Sequence, residues 1–434
     1  MPLPRLTVLL SSLLLAACVV DSPQREEALS LVSNAAWVAY RDGVQRPWRV
    51  IVADNENTDQ KIYTLQAVDL DKRFAVAMVC PDKGSGVQRV FLLYAAATQV
   101  GRLREGCQVP LDRVARHQVY GTLRGTERRV RLSFVPGEEA EFYGGYALRV
   151  PEGATDVLAV AGPSGPGGIE PEKILILRDF EVTPKEGEVE GRFPQDLNFA
   201  AGLAYPVAPA VEVGVSPGEA AAGEVAWQAQ VELSTGRNRL VLQRLRPEEG
   251  TLRMAFHGLP GEALQEGEGH RVVLQWLNDA GEVVRAGVRT FTAPAPVALG
   301  VPAPFDPQAR VEHLALSWVA PAEDALFGPL RLVSWYLEGQ GEDEAGASVS
   351  VRWEIHVGAS WMEAEETSGR IVLPLPDFSA LPGWKAEWVP VAGFERWRLE
   401  VYFSDDDTGR VLSGALQGKV VPGLAYGQVS RRGP

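Results

Sequence analysis

Val349-Ser-Val-Arg-Trp-Glu-Ile-His-Val357 places an apolar residue at every odd position and a polar one at every even position. A β-strand sends successive side chains to opposite faces, whereas a helix would scatter this pattern around its cylinder. The stretch therefore predicts a strand with one buried face and one wet face. Trp397, Leu399, Val401 and Phe403 alternate in the same way with Arg398, Glu400 and Tyr402. Further upstream, Val130, Leu132 and Phe134 alternate with Arg131 and Ser133, the pattern of a half-buried strand. On this phase His356 falls on the wet face, and His257, beside Phe256, is expected at the surface too.

Outward from these strands, short apolar runs continue through the chain. Trp37-Val-Ala-Tyr40, Trp48-Arg-Val-Ile-Val52, Arg73 to Cys80, Val90 to Tyr94 and Ile174-Leu-Ile-Leu177 are separated by turn residues such as Asp54-Asn-Glu-Asn57. Such spacing reads as many short strands. Asn278-Asp-Ala-Gly281 is a hairpin turn by composition. The one helix signal is Ser22-Pro23 ahead of Arg25 through Val32, with Ser as cap and Pro at the first position. The expected fold class is all-β, with tandem β-sandwich domains of immunoglobulin-like architecture. No Cys…Trp…Cys hallmark is present, so that name describes architecture alone.

A length of 434 residues leaves room for two to four domains. Turn spacing and composition divide the chain into a signal segment at 1–17 and a tether at 18–35. Sandwich units follow at 36–112, 113–204 and 205–293, then a linker at 294–307 and a Trp-rich unit at 308–434. The linker lies in Ala293-Pro-Ala-Pro-Val-Ala-Leu-Gly-Val-Pro-Ala-Pro-Phe-Asp-Pro307, whose prolines predict an extended spacer.

The N-terminus carries an address. Arg5 precedes an apolar run, Leu6 to Ala17, that is too short to span a bilayer and has the anatomy of a secretory signal. Its end, Leu15-Ala16-Ala17-Cys18, resembles the lipobox of bacterial lipoproteins. That resemblance implies cleavage before Cys18, acylation of its thiol, and a mature protein held by lipid to a bacterial membrane on the extracytoplasmic side. Val19 and Val20 follow the Cys, which permits the outer membrane where the host has one. With Cys18 assigned to lipid, Cys80 and Cys107 remain as an even pair in an oxidising compartment and are expected to form a disulfide. A metal site with His117 is the alternative, without any Cys-x-x-Cys spacing to favour it.

His117-Gln-Val-Tyr-Gly-Thr-Leu-Arg-Gly125, then Val130 to Phe134, Gly145-Tyr-Ala-Leu-Arg-Val-Pro-Glu-Gly153 and Asp156 to Val160, follow one another at short intervals. This order resembles the carboxypeptidase regulatory-like family of transthyretin-type β-sandwiches, over about residues 117–182. Such modules are usually non-catalytic, so the resemblance implies scaffolding or adhesion and names no active site.

The chain is poor in chemical motifs. It lacks His-Glu-x-x-His, a Gly-x-Ser-x-Gly elbow and a phosphate loop. The net charge of −14, one unit more negative without Arg5, gives no electrostatic reason to bind nucleic acid. The acidic Glu338-Gly-Gln-Gly-Glu-Asp-Glu344 reads as a hairpin tip, and Asp405-Asp-Asp-Thr-Gly409 as a polar turn without the full calcium loop. Seven of the 11 Trp fall between Trp318 and Trp397. Trp353 and Trp397 share a phase with core residues. Trp361, Trp384 and Trp388 lie in less regular stretches; the first expectation for them is a Trp-rich sandwich core, and the alternative is exposed rings that stack on sugar or grip a partner. The expectation is a non-enzymatic, lipid-anchored envelope protein without cofactor, with an envelope protein or polysaccharide as partner. The rivals are a carbohydrate-binding lipoprotein using those Trp and an extracytoplasmic hydrolase with accessory sandwiches.

Overall fold

The structure, a computed structural model, describes residues 29–433 apart from 44–45, 56–60, 66–72, 81–86, 97–101, 105–114, 166–167, 185–190, 201, 246–252, 313, 320, 322, 368 and 417. The fold is all-β and built of sandwiched sheets. The alternating stretch forms the strand Ser348–Gly358, inside a 13-stranded sheet. From one edge the sheet runs Arg239–Leu245, Ala226–Ser234, Gly269–Leu277, Val283–Phe291, Ala425–Gly433, Phe394–Phe403 and Gly328–Glu342. It continues with Ser348–Gly358, Val87–Ala96, Arg73–Cys80, Trp37–Asp42 and Arg49–Val50, and the thirteenth strand, Glu323–Asp324, pairs off this path with Gly328–Glu342. Segments 36–112, 205–293 and 308–434 therefore meet edge to edge in one hydrogen-bonded sheet. Arg285–Arg289 pairs antiparallel with Ala425–Val429, and Ser350–Val357 pairs parallel with Val87–Tyr94. Alternation tells which side of a strand is apolar; it does not tell which distant strand lies beside it.

One face of this sheet is apolar along its length. Trp37, Trp335, Trp353, Ile355 and Val401 share a core with two smaller sheets laid over it. The first is Arg253–Phe256, Val211–Ser216 and Val297–Gly300; the second includes Ala315–Trp318 and Arg370–Pro374. The Pro-rich stretch is thus not a free spacer. Val297, Leu299 and Val301 are buried, and Val297–Gly300 pairs parallel with Val213–Ser216. All five prolines fall outside those four residues, so the ladder loses no donor. Gly287 permits the close approach: a Cβ there would lie 1.8 Å from the Gly300 carbonyl oxygen. A buried, bidentate Arg285–Glu224 pair, 2.6 Å at both contacts, ties the same region together, with Arg285 also donating to the Pro302 carbonyl.

The opposite face is covered at two places. The strand Leu29–Ser33 pairs antiparallel with Lys61–Leu65 and parallel with Arg102–Arg104. Leu31, Tyr63 and Leu65 share a cluster with Val38, Phe74 and Met78. The expected helix through Val32 is therefore corrected over 29–33: partners from distant strands outweigh a local cap and proline signal. The helical turns Thr408–Val411 and Leu412–Leu416 contribute Val411 and Leu412 to the same cluster, together with Tyr402 and Tyr426.

Residues 115–206 fold into a two-sheet unit of their own. Glu138–Phe142, Arg129–Val135, Gly153–Gly162, Lys173–Val182 and Tyr205–Pro206 form one sheet; Gly145–Pro151, Arg116–Arg124 and Arg192–Pro194 form the other. Val119, Leu132, Phe134, Val157 and Phe199 fill the space between. The polar phase of Arg129–Val135 is not wet, as its alternation predicts. Arg131 is 6% and Ser133 0% exposed, because this face packs on the edge of the large sheet. Arg131 donates to the Val241 carbonyl at 3.0 Å, and Asn238 donates to the Ser133 and Asp156 carbonyls at 2.9 and 2.6 Å.

Candidate functional site

Between the covered places, the outer face of the large sheet stays open as a groove of about 590 Å³. Six adjacent strands form it, from Arg239–Leu245 across to Phe394–Phe403, and Gly137 and Glu139 of the smaller unit stand at one side. Cross-strand register sets its order. Gln230 lies opposite Val273, Gln275 opposite Ala286, Ala286 opposite Gln428, Ser430 opposite Glu400, and Arg432 opposite Arg398. Small and apolar side chains (Val273, Ala286, Val288) lie among amides and a hydroxyl, and charges stand at both ends. A second hollow of about 260 Å³ continues it, sharing Arg398 and Arg432 and adding Arg352, Arg396 and Trp397.

The charges are interlocked. At the inner end Glu232, 4% exposed, accepts from Gln230 Nε2 at 2.5 Å and stands 3.7 and 3.8 Å from Arg239 and Arg271. Arg271 donates to the Tyr426 hydroxyl at 3.3 Å. Glu139 accepts from the Val241 amide at 2.6 Å and pairs with Arg244 at 3.3 Å; burial pushes its carboxyl above the usual range. At the other end Tyr402 donates to Glu400 at 2.5 Å, and the Arg398 guanidinium lies 4.3 Å from the Tyr336 ring centre. Glu338 bridges Arg352 and Arg396 at 2.7 and 3.4 Å, and Arg432 pairs with Glu282.

Burial raises the hydroxyls of Tyr336, Tyr402 and Tyr426, and the nearby Glu400 carboxylate raises the first two further. They stay protonated at neutral pH: Tyr402 donates to Glu400, and Tyr426 accepts from Arg271. The groove's lining residues include neither His nor Cys. Its groups supply charge and hydrogen bonds.

The residues singled out by sequence lie elsewhere. Cys18 and its lipobox, and Cys107, fall outside the described residues. Cys80 ends its strand and is 8% exposed. Trp361 is 0% and Trp388 6% exposed, and Trp384 is half-buried, all on the apolar face opposite the groove. The idea that these rings stand out for stacking is corrected: they pack on other rings. Trp384 meets Phe378, Trp37 and Trp388 at 4.8, 5.1 and 5.1 Å between centroids, and Trp361 meets Tyr94 at 5.1 Å. The Trp361 indole N–H donates to the Ala95 carbonyl at 2.9 Å, so even its polar edge is satisfied inside.

His356 is likewise buried, 3% exposed, with Nδ1 2.9 Å from Ser334 Oγ and its ring 5.0 Å from Phe91. Asp343 holds the hairpin tip by accepting from the Ala345 and Ala347 amides, and Asp407 caps the Thr408–Val411 turn through Arg410 N at 2.8 Å. Asn278–Gly281 is a hairpin turn as expected, with Gly281 at φ 76° and its amide donating to the Asn278 carbonyl at 2.9 Å. The groove itself escaped sequence reading. Its Gln, Arg and Glu occupy the polar phase of several strands, and only pairing shows that they converge.

No family model matches the chain, and no curated protein matches it. Among solved structures, a leucine-rich repeat protein from Bacteroides thetaiotaomicron is similar at 12% identity and TM-score 0.18, over 44% of this chain and 26% of that one. The chain thus spans about a quarter of that protein's length. A DUF3823 family protein from Bacteroides ovatus shows 14% identity and TM-score 0.13, over 39% of this chain and 93% of that one. A Ca2+-stabilised adhesin from an Antarctic bacterium, described as helping it to bind ice, shows 10% identity and TM-score 0.13 over 86% of each chain. At these scores no role passes from those proteins to this chain.

Proposed function

We propose that this chain is a lipid-anchored, extracytoplasmic envelope protein whose task is binding and not catalysis. The observation that carries the binding part is the groove: a concave face of six hydrogen-bonded strands lined by interlocked Arg, Glu, Gln and Tyr side chains. The anchor rests on Leu15-Ala16-Ala17-Cys18 and the signal ahead of it. We further assign Cys80 and Cys107 to one disulfide and residues 117–182 to a carboxypeptidase regulatory-like module. The bridge is supported by cysteine parity, and the module by its strand order and the sandwich around it. Such a chain would hold its groove away from the membrane and present it to the envelope.

The test begins with protein extracted from the native membrane. Its N-terminal peptide is expected to start at an acylated Cys18, and Cys80 and Cys107 to resist alkylation until reduced. An unmodified Cys18 in the mass spectrum would remove the anchor. Against the hydrolase reading, the full mature chain is expected to turn over none of a broad panel of glycoside, ester and peptide substrates. Clear turnover would overturn the non-catalytic reading.

A further inference from the structure

We infer that the groove and its extension bind an extended acidic glycan, a sugar chain bearing carboxylates, a reading that rests on the binding role proposed above. The first ground is charge. The two hollows together are lined by seven Arg and five Glu, a local cationic excess on a chain whose net charge is −14. Each of those five Glu already has an Arg partner: Glu139 with Arg244, Glu232 with Arg239 and Arg271, Glu282 with Arg432, Glu338 with Arg352 and Arg396, Glu400 with Arg398. A guanidinium carries five N–H donors, so pairing with one carboxylate leaves donors over, in the planar fork that suits a second carboxylate. The surplus on this surface is one of donors, and it is met by an acceptor-rich, anionic ligand.

The second ground is that the surface also keeps polar groups suited to hydroxyls. Gln230, Gln275, Gln428 and Ser430 face the groove between its charged ends. Each amide offers an acceptor as well as donors, and such groups favour a ligand that also donates. Carboxylates and hydroxyls alternating along one chain supply both needs; a bare anion supplies one.

The third ground separates a glycan from a peptide. Five of the six groove strands are hydrogen-bonded to a neighbour on each side, and the sixth, the edge strand Arg239–Leu245, is met at Val241 by Arg131 and Glu139 of the smaller unit, so an extended peptide finds no open edge along the floor. The floor is made of small and polar side chains instead of deep apolar pockets for anchor residues. The shape is a shallow trough that runs from Arg244, past Ser430, to Arg396. Only a polymer long enough to span several strands touches both ends.

The experiment uses the full mature chain in detergent and titrates it with an oligogalacturonate, a neutral cello-oligosaccharide of equal length and a poly-glutamate peptide. The oligogalacturonate is expected to bind, with affinity that falls as salt is raised, and the cello-oligosaccharide is not. The variant Arg244→Gln/Arg396→Gln removes one guanidinium from each end, at side chains 46% and 74% exposed. It is expected to lose roughly tenfold or more in affinity with an unchanged melting temperature. No oligogalacturonate binding, equal binding of the neutral oligomer, tighter binding of poly-glutamate, or undiminished binding by the variant would each overturn the inference. Failure through the neutral oligomer or the peptide leaves the binding role standing with another ligand. New reducing ends released from the oligogalacturonate would overturn the non-catalytic reading while keeping the site.

Discussion

Trp335 and Tyr336 are neighbours in one strand and live in different surroundings. Trp335 is 0% exposed among Trp318, Trp397 and the aliphatic side chains of the inner core. Tyr336 faces the other way, beneath Arg398 and beside the Glu338–Arg352–Arg396 ladder. The same contrast runs through Trp353 and its neighbours Arg352 and Glu354. One face of the sheet excludes water and carries stability; the other, where it is uncovered, is written in Arg and Glu. Position in the strand, alternating by one residue, decides which physics applies. The two faces should therefore fail differently when changed.

The largest expected effect is on the inner face. Trp335→Ala deletes a fully buried ring inside a closed aromatic cluster and leaves a cavity that the surrounding sheets cannot fill. A loss of about 3–5 kcal/mol is expected, read as a lowered denaturant midpoint. A loss under about 1 kcal/mol would mean that the core collapses freely around the gap, and that the division between faces is softer than the packing indicates.

How much of this was legible follows from the same contrast. Val349–Val357 revealed its strand, its phase and the burial of Trp353, because alternation is a property of the strand itself. Asn278–Gly281 revealed its turn because a turn is local. The polar phase was read as water-facing, and this holds for Arg352 and Arg396 but not for His356, Arg131 or Ser133. Those three are shut in by neighbours: His356 by Phe91 and Tyr336 of the adjoining strands, and the other two, in the smaller unit, by the Arg239–Leu245 edge of the large sheet. Sequence carries no mark of which patch of a sheet a distant segment will cover. The groove was hidden for the same reason, since Gln230, Gln428 and Arg398 become neighbours only through pairing of strands far apart in the chain. For Trp384 and Trp388 the sequence left both a core and a stacking surface open for want of a regular strand around them, and irregular chain folded over a core supplies core residues.

A middle-sized effect tests two buried histidines, His356 on the outer face and His270 on the inner, where it shares the phase of Val272, Leu274 and Trp276 and packs on Phe256 and Phe291. Burial holds His356 down to about 4 and His270 down to about 4, against an ordinary value near 6.5. Both are neutral in the fold. His270 Nε2 accepts from the Leu259 amide at 2.9 Å, an interaction that protonation would destroy. The unfolded chain binds protons first as pH falls, so the stability these two supply is complete above about pH 6.5 and drains away towards pH 4. Roughly 2 kcal/mol per histidine should be lost by pH 5. Unfolding free energies measured from pH 8 to 5 should fall along this slope, and His356→Gln should flatten part of it. A flat profile would mean that water reaches both rings and that the packing over them opens readily.

The smallest effect belongs to the open ladder, and its smallness matters. Glu338 holds two guanidiniums, but the side chains of Arg352 and Arg396 are 41% and 74% exposed, so water and salt screen both pairs. Such exposed pairs are each worth about 0–1 kcal/mol. Arg352→Ala should therefore shift the denaturant midpoint by less than about 1 kcal/mol, and the shift should shrink when salt is raised. A loss of 2 kcal/mol or more would make the Arg and Glu of this face part of the scaffold, conserving the sheet and not a contact surface. A small loss removes stability as the reason for so many charges in so shallow a trough. What remains to explain them is something that they touch.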